Sequence, residues 1–249
     1  MIATLPMYDR PETAAVLDAF WSQVAARLPD APARLDHAAP LEDTWVRRDL
    51  TLSQTCGLPF QMWVGDHARY VASPDMRLPG ATAGHYNSVV VTRADEIRSP
   101  QDLLRARPMI NQRHSQSGYA ALWLYAETLG IAMTDVTVSG GHRKSAQAVA
   151  RGHADIAAID AHSWRLISRF DPLASDLKVI DRTPATPAPP FICGASQDPA
   201  PLRNALSAAI DTLSDADRDL IGAHGITTLP PGAYQTFAVP PDAQTRATT

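Results

Sequence analysis

Cysteine and lysine are nearly absent: Cys56 and Cys193 are the only cysteines, and Lys144 and Lys178 the only lysines. Two cysteines cannot build a disulfide scaffold, and whether this pair is bonded is not written in the sequence. The chain also lacks a basic surplus, with 22 basic against 26 acidic residues and a formal charge of −4. Arg47-Arg48 and Arg143-Lys144 are isolated pairs rather than runs, which argues against a nucleic-acid partner. No apolar stretch approaches the roughly 20 residues that cross a bilayer, so no membrane insertion is expected. The opening Met1-Ile2-Ala3-Thr4-Leu5-Pro6 runs into a strand-like segment with no basic stretch, apolar core or small-residue cleavage site before it, so no secretory signal is read. The scarcity of lysine beside abundant alanine and arginine reads as compositional bias.

Several chemistries are missing as well. There is no phosphate-binding loop ending in Gly-Lys-Ser/Thr, no dinucleotide Gly-x-Gly-x-x-Gly after a strand and no Gly-x-Ser-x-Gly elbow. No cysteines or histidines show zinc-ligand spacing. The expectation is therefore no metal, no cofactor and no catalytic residue, with Cys56 read as a small packed side chain.

What is present is a chain of 249 residues, 45% of them hydrophobic, enough for one large domain or two lobes. Val16, Phe20, Val24 and Leu28 recur every four residues, with Leu17 and Trp21 broadening the stripe, and predict an amphipathic helix after Pro11. Leu50–Ser53 and Arg69–Ser73 read as strands, and Pro74–Gly84 as a loop. From residue 87 strands and helices alternate: strands at Ser88–Thr92, Met109–Asn111, Val136–Val138, Ile156–Ile159 and Lys178–Asp181, with helices at Pro100–Arg107, Ser117–Leu129, His142–Arg151 and Ala161–Arg169. This order predicts an α/β fold with mainly parallel sheets flanked by helices. Pro-rich Thr183–Pro190 breaks the rhythm before a strand at Phe191–Cys193 and two helices, and the polar tail from Pro240 is expected to fray. Two chain crossings, near Val91–Arg93 and Asp181–Pro190, would give a discontinuous lobe of residues 1–91 and 183–249 and an inserted lobe of 92–182, with a hinge and a cleft. A single doubly wound sheet is the alternative.

In such sheets ligands gather outside the carboxyl ends of the strands. Three strand-to-helix turns stand out there. Asn111–Gly118 carries Ser115, Gln116, Ser117 and Gly118 at a helix start, where free N–H groups and the helix dipole favour an anion. Ser139-Gly140-Gly141-His142 offers close backbone approach and an imidazole. Asp160-Ala161-His162-Ser163 places Asp160 where it could cap its helix or hold a ligand amine or hydroxyl. Tyr8, Thr55 in Ser53–Gly57, and Tyr86 in Gly84–Asn87 are candidates for a facing wall.

On these residues the chain resembles the phosphate/phosphonate-type substrate-binding proteins of ABC transporters, which have the type II periplasmic-binding fold. The resemblance is carried by Ile2–Tyr8, Ser53–Gly57, Tyr86–Val91, Ser115-Gln116-Ser117-Gly118, Gly141-His142 and Ala154–Asp160. It implies a two-lobed protein with two hinge crossings that closes on a small anionic solute. Ser115, Ser117 and Gly118 would hold phosphonate oxygens, with Gln116 standing where a threonine is usual. His142 would lie against the ligand as a donor, and Tyr8, Thr55, Tyr86 and Asp160 would select the remainder. The implied partner is a transporter permease, the state a monomer or weak dimer, and the location periplasmic, with a cytoplasmic one open for a chain that shows no leader. Two other readings use the same fold: a cytosolic enzyme of the menaquinone-biosynthesis type, with His85, His114 or His142 as general base, or a ligand-sensing module.

Overall fold

Strands form where the sequence runs through β-branched and small apolar residues, and they assemble into two separate five-stranded sheets. The computed structural model describes residues 1–244. By contact the described chain divides into one unit of residues 1–85 and 187–236, and a second of residues 86–186 and 237–244. The two crossing segments, His85–Tyr86 and Thr186–Pro187, pair with each other as a two-stranded ribbon.

In the first unit the sheet order is Ile2–Ala3, Leu50–Gln54, Phe191–Gly194, Ala68–Pro74, Ile226–Thr227. The helix Ala14–Ala25 buries Leu17, Phe20, Trp21 and Val24 against Leu52, Val71 and Phe191. The same core takes in Leu206 and Ile210 of the helix Pro199–Asp211. Each such large apolar side chain contributes about 1.5–3 kcal/mol when removed from water. The indole N–H of Trp21 donates to the Pro32 carbonyl at 3.0 Å, so burial leaves no orphaned donor. Cys56 and Cys193 are both in this unit, both buried and both free thiols.

In the second unit the order is Thr137–Val138, Pro108–Ile110, Ile156–Asp160, Ser88–Arg93, Leu177–Arg182. The sequence placed every one of these strands and the helices between them. The helix Pro100–Ala106 starts as its residues dictate: Pro100 takes the first turn and Ser99 caps, accepting from the Asp102 N–H at 3.2 Å.

The α/β class holds, but the pairing is mixed rather than mainly parallel. In the second sheet Pro108–Ile110 runs parallel to both Thr137–Val138 and Ile156–Asp160, while Ser88–Arg93 is antiparallel to Ile156–Asp160 and to Leu177–Arg182. In the first, among the described residues, only the Ile2–Ala3 and Leu50–Gln54 pair is parallel. The reason is topological. Ser88–Arg93 and Leu177–Arg182 bring the chain into and out of the second unit, so no helical crossover sets their direction. The polar tail is held as far as Asp242, which pairs with Arg113; its residues 245–249 lie outside the described residues.

The loop before the Pro100–Ala106 helix carries a charge cluster. Asp155, 5% exposed, accepts from Arg107 Nε and Nη2 at 2.9 and 2.8 Å and from Arg98 Nη2 at 2.8 Å. Arg98 also clasps Glu96, through Nε at 3.0 Å and Nη2 at 2.6 Å. The Arg98 guanidinium, then the backbone N–H groups of Arg98 and Ile97, hold the Glu96 carboxyl down to about 2. Burial alone would raise Asp155, but Arg107 and Arg98 outweigh it and its net shift is also downward. A depressed folded-state value means stability that is complete above the ordinary carboxylate range and lost as pH falls through the folded value. Thermal melts should therefore show Tm dropping as pH is lowered from about 4.5 to about 2. Glu96→Gln should shrink that drop, whereas an equal drop in the variant would show that Glu96 is not its source.

Candidate functional site

The site is built where two helix starts meet beside the strand Pro108–Ile110. Its last carbonyls reach sideways: Ile110 C=O accepts from the Ser139 N–H at 2.9 Å, and Asn111 C=O from the Gly140 N–H at 2.8 Å. That draws the Ser139–Gly141 turn alongside Asn111. Gly140 has φ +88°, a left-handed conformation that favours glycine, and the helix His142–Ala150 begins immediately after.

The chain after Asn111 turns into the second helix. Ser115 caps it, its hydroxyl accepting from the Gly118 N–H at 3.0 Å. The first turn, Gln116–Ala120, is a π-turn in which the Ala120 N–H reaches back to the Ser115 carbonyl at 3.0 Å. It continues as the α-helix Ala121–Thr128. Such turns are rare and recur at functional sites. Ser115, Gln116, Ser117 and Gly118 are all buried. Ser88 fixes this segment to the sheet, its hydroxyl donating to the Ser117 carbonyl at 2.8 Å.

The two helix starts are joined by side chains. Ser117 Oγ lies 2.8 Å from His142 Nε2, and Asn111 Nδ2 lies 3.4 Å from the same nitrogen. Burial pushes the His142 imidazole down to about 4, and an interaction with the Ala158 backbone is the opposing influence. It is therefore neutral at physiological pH. Gly118 makes the arrangement possible, because a Cβ there would sit 1.9 Å from Asn111 Oδ1 and 3.1 Å from His142 Cε1.

Asp160 ends the neighbouring strand and caps the helix Ala161–Phe170, its Oδ1 accepting from the Ser163 N–H at 2.7 Å. It stands opposite Ser88 in the sheet register. Tyr86 is buried at 1% exposure in the crossing ribbon. The other two candidates lie in the first unit. Thr55 is fully buried, with its N–H on the Pro190 carbonyl at 3.1 Å and its hydroxyl on the Cys56 carbonyl at 3.4 Å. Tyr8 is buried too, and its carbonyl accepts from the Thr13 hydroxyl at 2.8 Å. The second unit thus brings together Ser115, Gln116, Ser117, Gly118 and His142, with Asp160 reached through Ser88. Sequence reasoning missed Asn111 as a shaping residue, and it missed Ser88. An asparagine ending a strand ahead of a serine-rich helix start is a usable signal for the first; nothing in the sequence marks the second.

The donor set suits an oxyanion: two helix N-termini, serine hydroxyls and backbone N–H groups. Among the described residues no cluster of histidine, cysteine, aspartate or glutamate is arranged to hold a metal. No helix among them is long and apolar enough to cross a membrane.

Comparison with known proteins agrees with this architecture. No curated protein matches the chain. Among solved structures, PhnD1 from Prochlorococcus marinus in complex with methylphosphonate is similar over 94% of this chain and 94% of its own, at 16% identity and TM-score 0.67. A binding protein component of an ABC phosphonate transporter from Pseudomonas aeruginosa covers 94% of this chain and 82% of its own, at 14% identity and TM-score 0.71. A Xanthomonas citri protein bound to ATP matches over 95% and 94%, at 17% identity and TM-score 0.66. At these identities the likeness speaks for the fold, the type II periplasmic-binding architecture. The family model for the periplasmic phosphonate substrate-binding proteins of ABC transporters matches residues 59–237, a span that holds the Ser117–His142 pair and leaves out Tyr8 and Thr55. It does not favour the enzyme and sensor readings, and this chain belongs to that family of solute-binding proteins.

Proposed function

We propose that the protein is the solute receptor of an ABC transport system, binding a small oxyanion of the phosphate or phosphonate type and handing it on unchanged to a membrane permease. The observation that carries this reading is the Ser117–His142 contact at 2.8 Å, which holds two helix N-termini together at the carboxyl end of a sheet. Ser115, Gln116, Ser117 and Gly118 are the proposed cradle for the anionic head, with His142 and Asn111 shaping it. Tyr86 and Asp160 are proposed contacts for the remainder of the solute, and so are Tyr8 and Thr55 in the first unit. The lobes are proposed to be the two units seen by contact, residues 1–85 with 187–236 and residues 86–186 with 237–244, rather than a division at 91/92 and 182/183 that would cut the strand Ser88–Arg93, in a monomer or weak dimer that works in the periplasm. No group is assigned a catalytic role.

A thermal-shift series with phosphate, methylphosphonate, aminoethylphosphonate, methanesulfonate and simple carboxylates tests the reading. A ligand at 100 times its Kd adds about 2.7 kcal/mol of stability. For a chain of this size that raises Tm by about 5–10 °C. The expected result is such a shift with a phosphonate or phosphate, with the ligand recovered intact. No shift with any oxyanion, or a ligand returned chemically altered, would overturn the assignment.

A further inference from the structure

Residues 26–40 join the helix Ala14–Ala25 to the short helix Leu41–Trp45 without a helix or strand of their own. A connector of that length inside a packed unit needs something to hold it. Three of its ties are ordinary: the Trp21 indole N–H on the Pro32 carbonyl at 3.0 Å, Leu35 in the apolar core, and the Asp36 N–H on the Ala3 carbonyl at 2.8 Å. The fourth is His37, whose Nδ1 lies 2.6 Å from Asp9 Oδ2 and whose Nε2 lies 3.0 Å from Asp18 Oδ1. We propose that His37 is a proton-operated clasp. Charged, it ties the connector to the Tyr8–Thr13 turn and to the helix Ala14–Ala25; as the ring loses its proton, it lets go. The clasp does not depend on the anion site or its solute.

The contacts themselves dictate the protonation state. A carboxylate only accepts, so a ring nitrogen facing one must carry a hydrogen. A neutral imidazole has a single N–H, and its other nitrogen would turn a lone pair toward a carboxylate oxygen. Only the imidazolium, a donor at both nitrogens, satisfies Asp9 and Asp18 together. Both carboxylates stand on firm supports. The turn that carries Asp9 is knit by Thr13, whose hydroxyl donates to the Tyr8 carbonyl at 2.8 Å and accepts from the Arg10 N–H at 3.1 Å. Asp18 sits on a helix that buries Leu17, Phe20, Trp21 and Val24 in the core. Tyr8, a proposed solute contact, belongs to the turn that the clasp holds.

The charged groups around the ring act in one direction. The hydrogen bond to Asp9, then the one to Asp18, raise the His37 titration above the ordinary imidazole value, against a lowering by burial. On its own segment Asp36 accepts from the Ala38 N–H at 2.9 Å, and Arg34 is exposed. On the Asp9 turn Arg10 is engaged by Glu12 at 2.6 Å, and Arg47, which feels Asp36, pairs with Asp49 at 2.8 Å. No basic group lowers the His37 titration. A raised folded-state value means that the clasp's contribution is complete below the ordinary imidazole value and is lost as pH rises through the folded one. The Glu96 cluster behaves in the opposite sense, weakening as pH falls.

The test is brief trypsin digestion of the whole chain between pH 6.5 and pH 9, followed through the fragment that ends at Arg34, an exposed residue within the connector. Cleavage there reports how often the connector opens. His37→Ala, digested beside the wild type at each pH, cancels the protease's own pH dependence. At pH 6.5 the wild type should be cut about two- to tenfold more slowly than His37→Ala, the range that partly exposed ion pairs allow. The two rates should converge toward pH 9. Proton NMR of the wild type gives a second readout: the imidazole signal that His37→Ala lacks should titrate above about 6.5, and Asp18→Asn should bring it back toward that value. Equal cleavage of wild type and His37→Ala at pH 6.5 would overturn the clasp, and so would a His37 midpoint at or below about 6.5. A difference in cleavage that persists unchanged to pH 9 would overturn it too, because the tie would then not depend on the proton.

Discussion

Gly118→Ala is expected to lower methylphosphonate affinity by about 10- to 100-fold. The added carbon would stand 1.9 Å from Asn111 Oδ1 and 2.6 Å from Asn111 Cγ, with His142 Cε1 at 3.1 Å. Neither neighbour is the far end of a long flexible chain. Asn111 is short, 6% exposed, and its backbone is pinned by the Gly140 N–H at 2.8 Å. Relief has to come from moving Asn111 off His142 or from pushing the helix start away from the Ser139–Gly141 turn, and either opens the cradle. Overpacking of this kind costs about 1–3 kcal/mol. Calorimetric titration beside a thermal melt measures both effects. Adding Asn111→Ala to Gly118→Ala should return part of the lost stability, because the two side chains compete for one space. A Gly118→Ala protein that binds like the wild type would show that the ligand lies elsewhere.

Leu122→Ala should do the reverse, with a large loss of stability and little change in affinity. Leu122 is fully buried on the helix Ala121–Thr128, in a cluster with Ile110, Ile156 and Ala158 beside the proposed anion cradle. Truncating a buried leucine costs about 2–5 kcal/mol, from lost transfer free energy and the cavity left behind. At roughly 2–4 °C per kcal/mol for this chain length, Tm should fall by about 5–15 °C. The substitution leaves Ser117, His142 and Asn111 untouched, so Kd well below the new Tm should stay within about threefold of wild type. A Kd that weakens as much as in Gly118→Ala would mean that the cradle's geometry depends on the core beneath it. The two variants together separate the shape of the site from the stability of its support.

The elements themselves were legible because their signals are local. Ser88–Arg93 is carried by β-branched residues, Ala14–Ala25 by a stripe every four residues, and Pro100–Ala106 by a serine cap and a first-turn proline. Strand direction was less so. Whether Ser88–Arg93 runs with or against Ile156–Asp160 depends on the route the chain takes between units, and that leaves no periodicity in either strand. The site divides the same way. Ser115, Ser117, Gly118 and His142 were legible as two serines, a glycine and a histidine at helix starts. That Ser117 and His142 touch depends on the carbonyls of Ile110 and Asn111 drawing in the next turn, a backbone event with no residue signature.

The location of the thiols has a practical consequence. Both cysteines lie in the unit of residues 1–85 and 187–236, and residues 86–186 contain none. Burial pushes the Cys193 thiol up to about 11, which keeps it a poor nucleophile while the protein is folded. A thiol-reactive dye is therefore a clock for the opening of one half of the molecule alone. Stabilisation confined to the half that carries Ser117 and His142 leaves that clock running at its original rate.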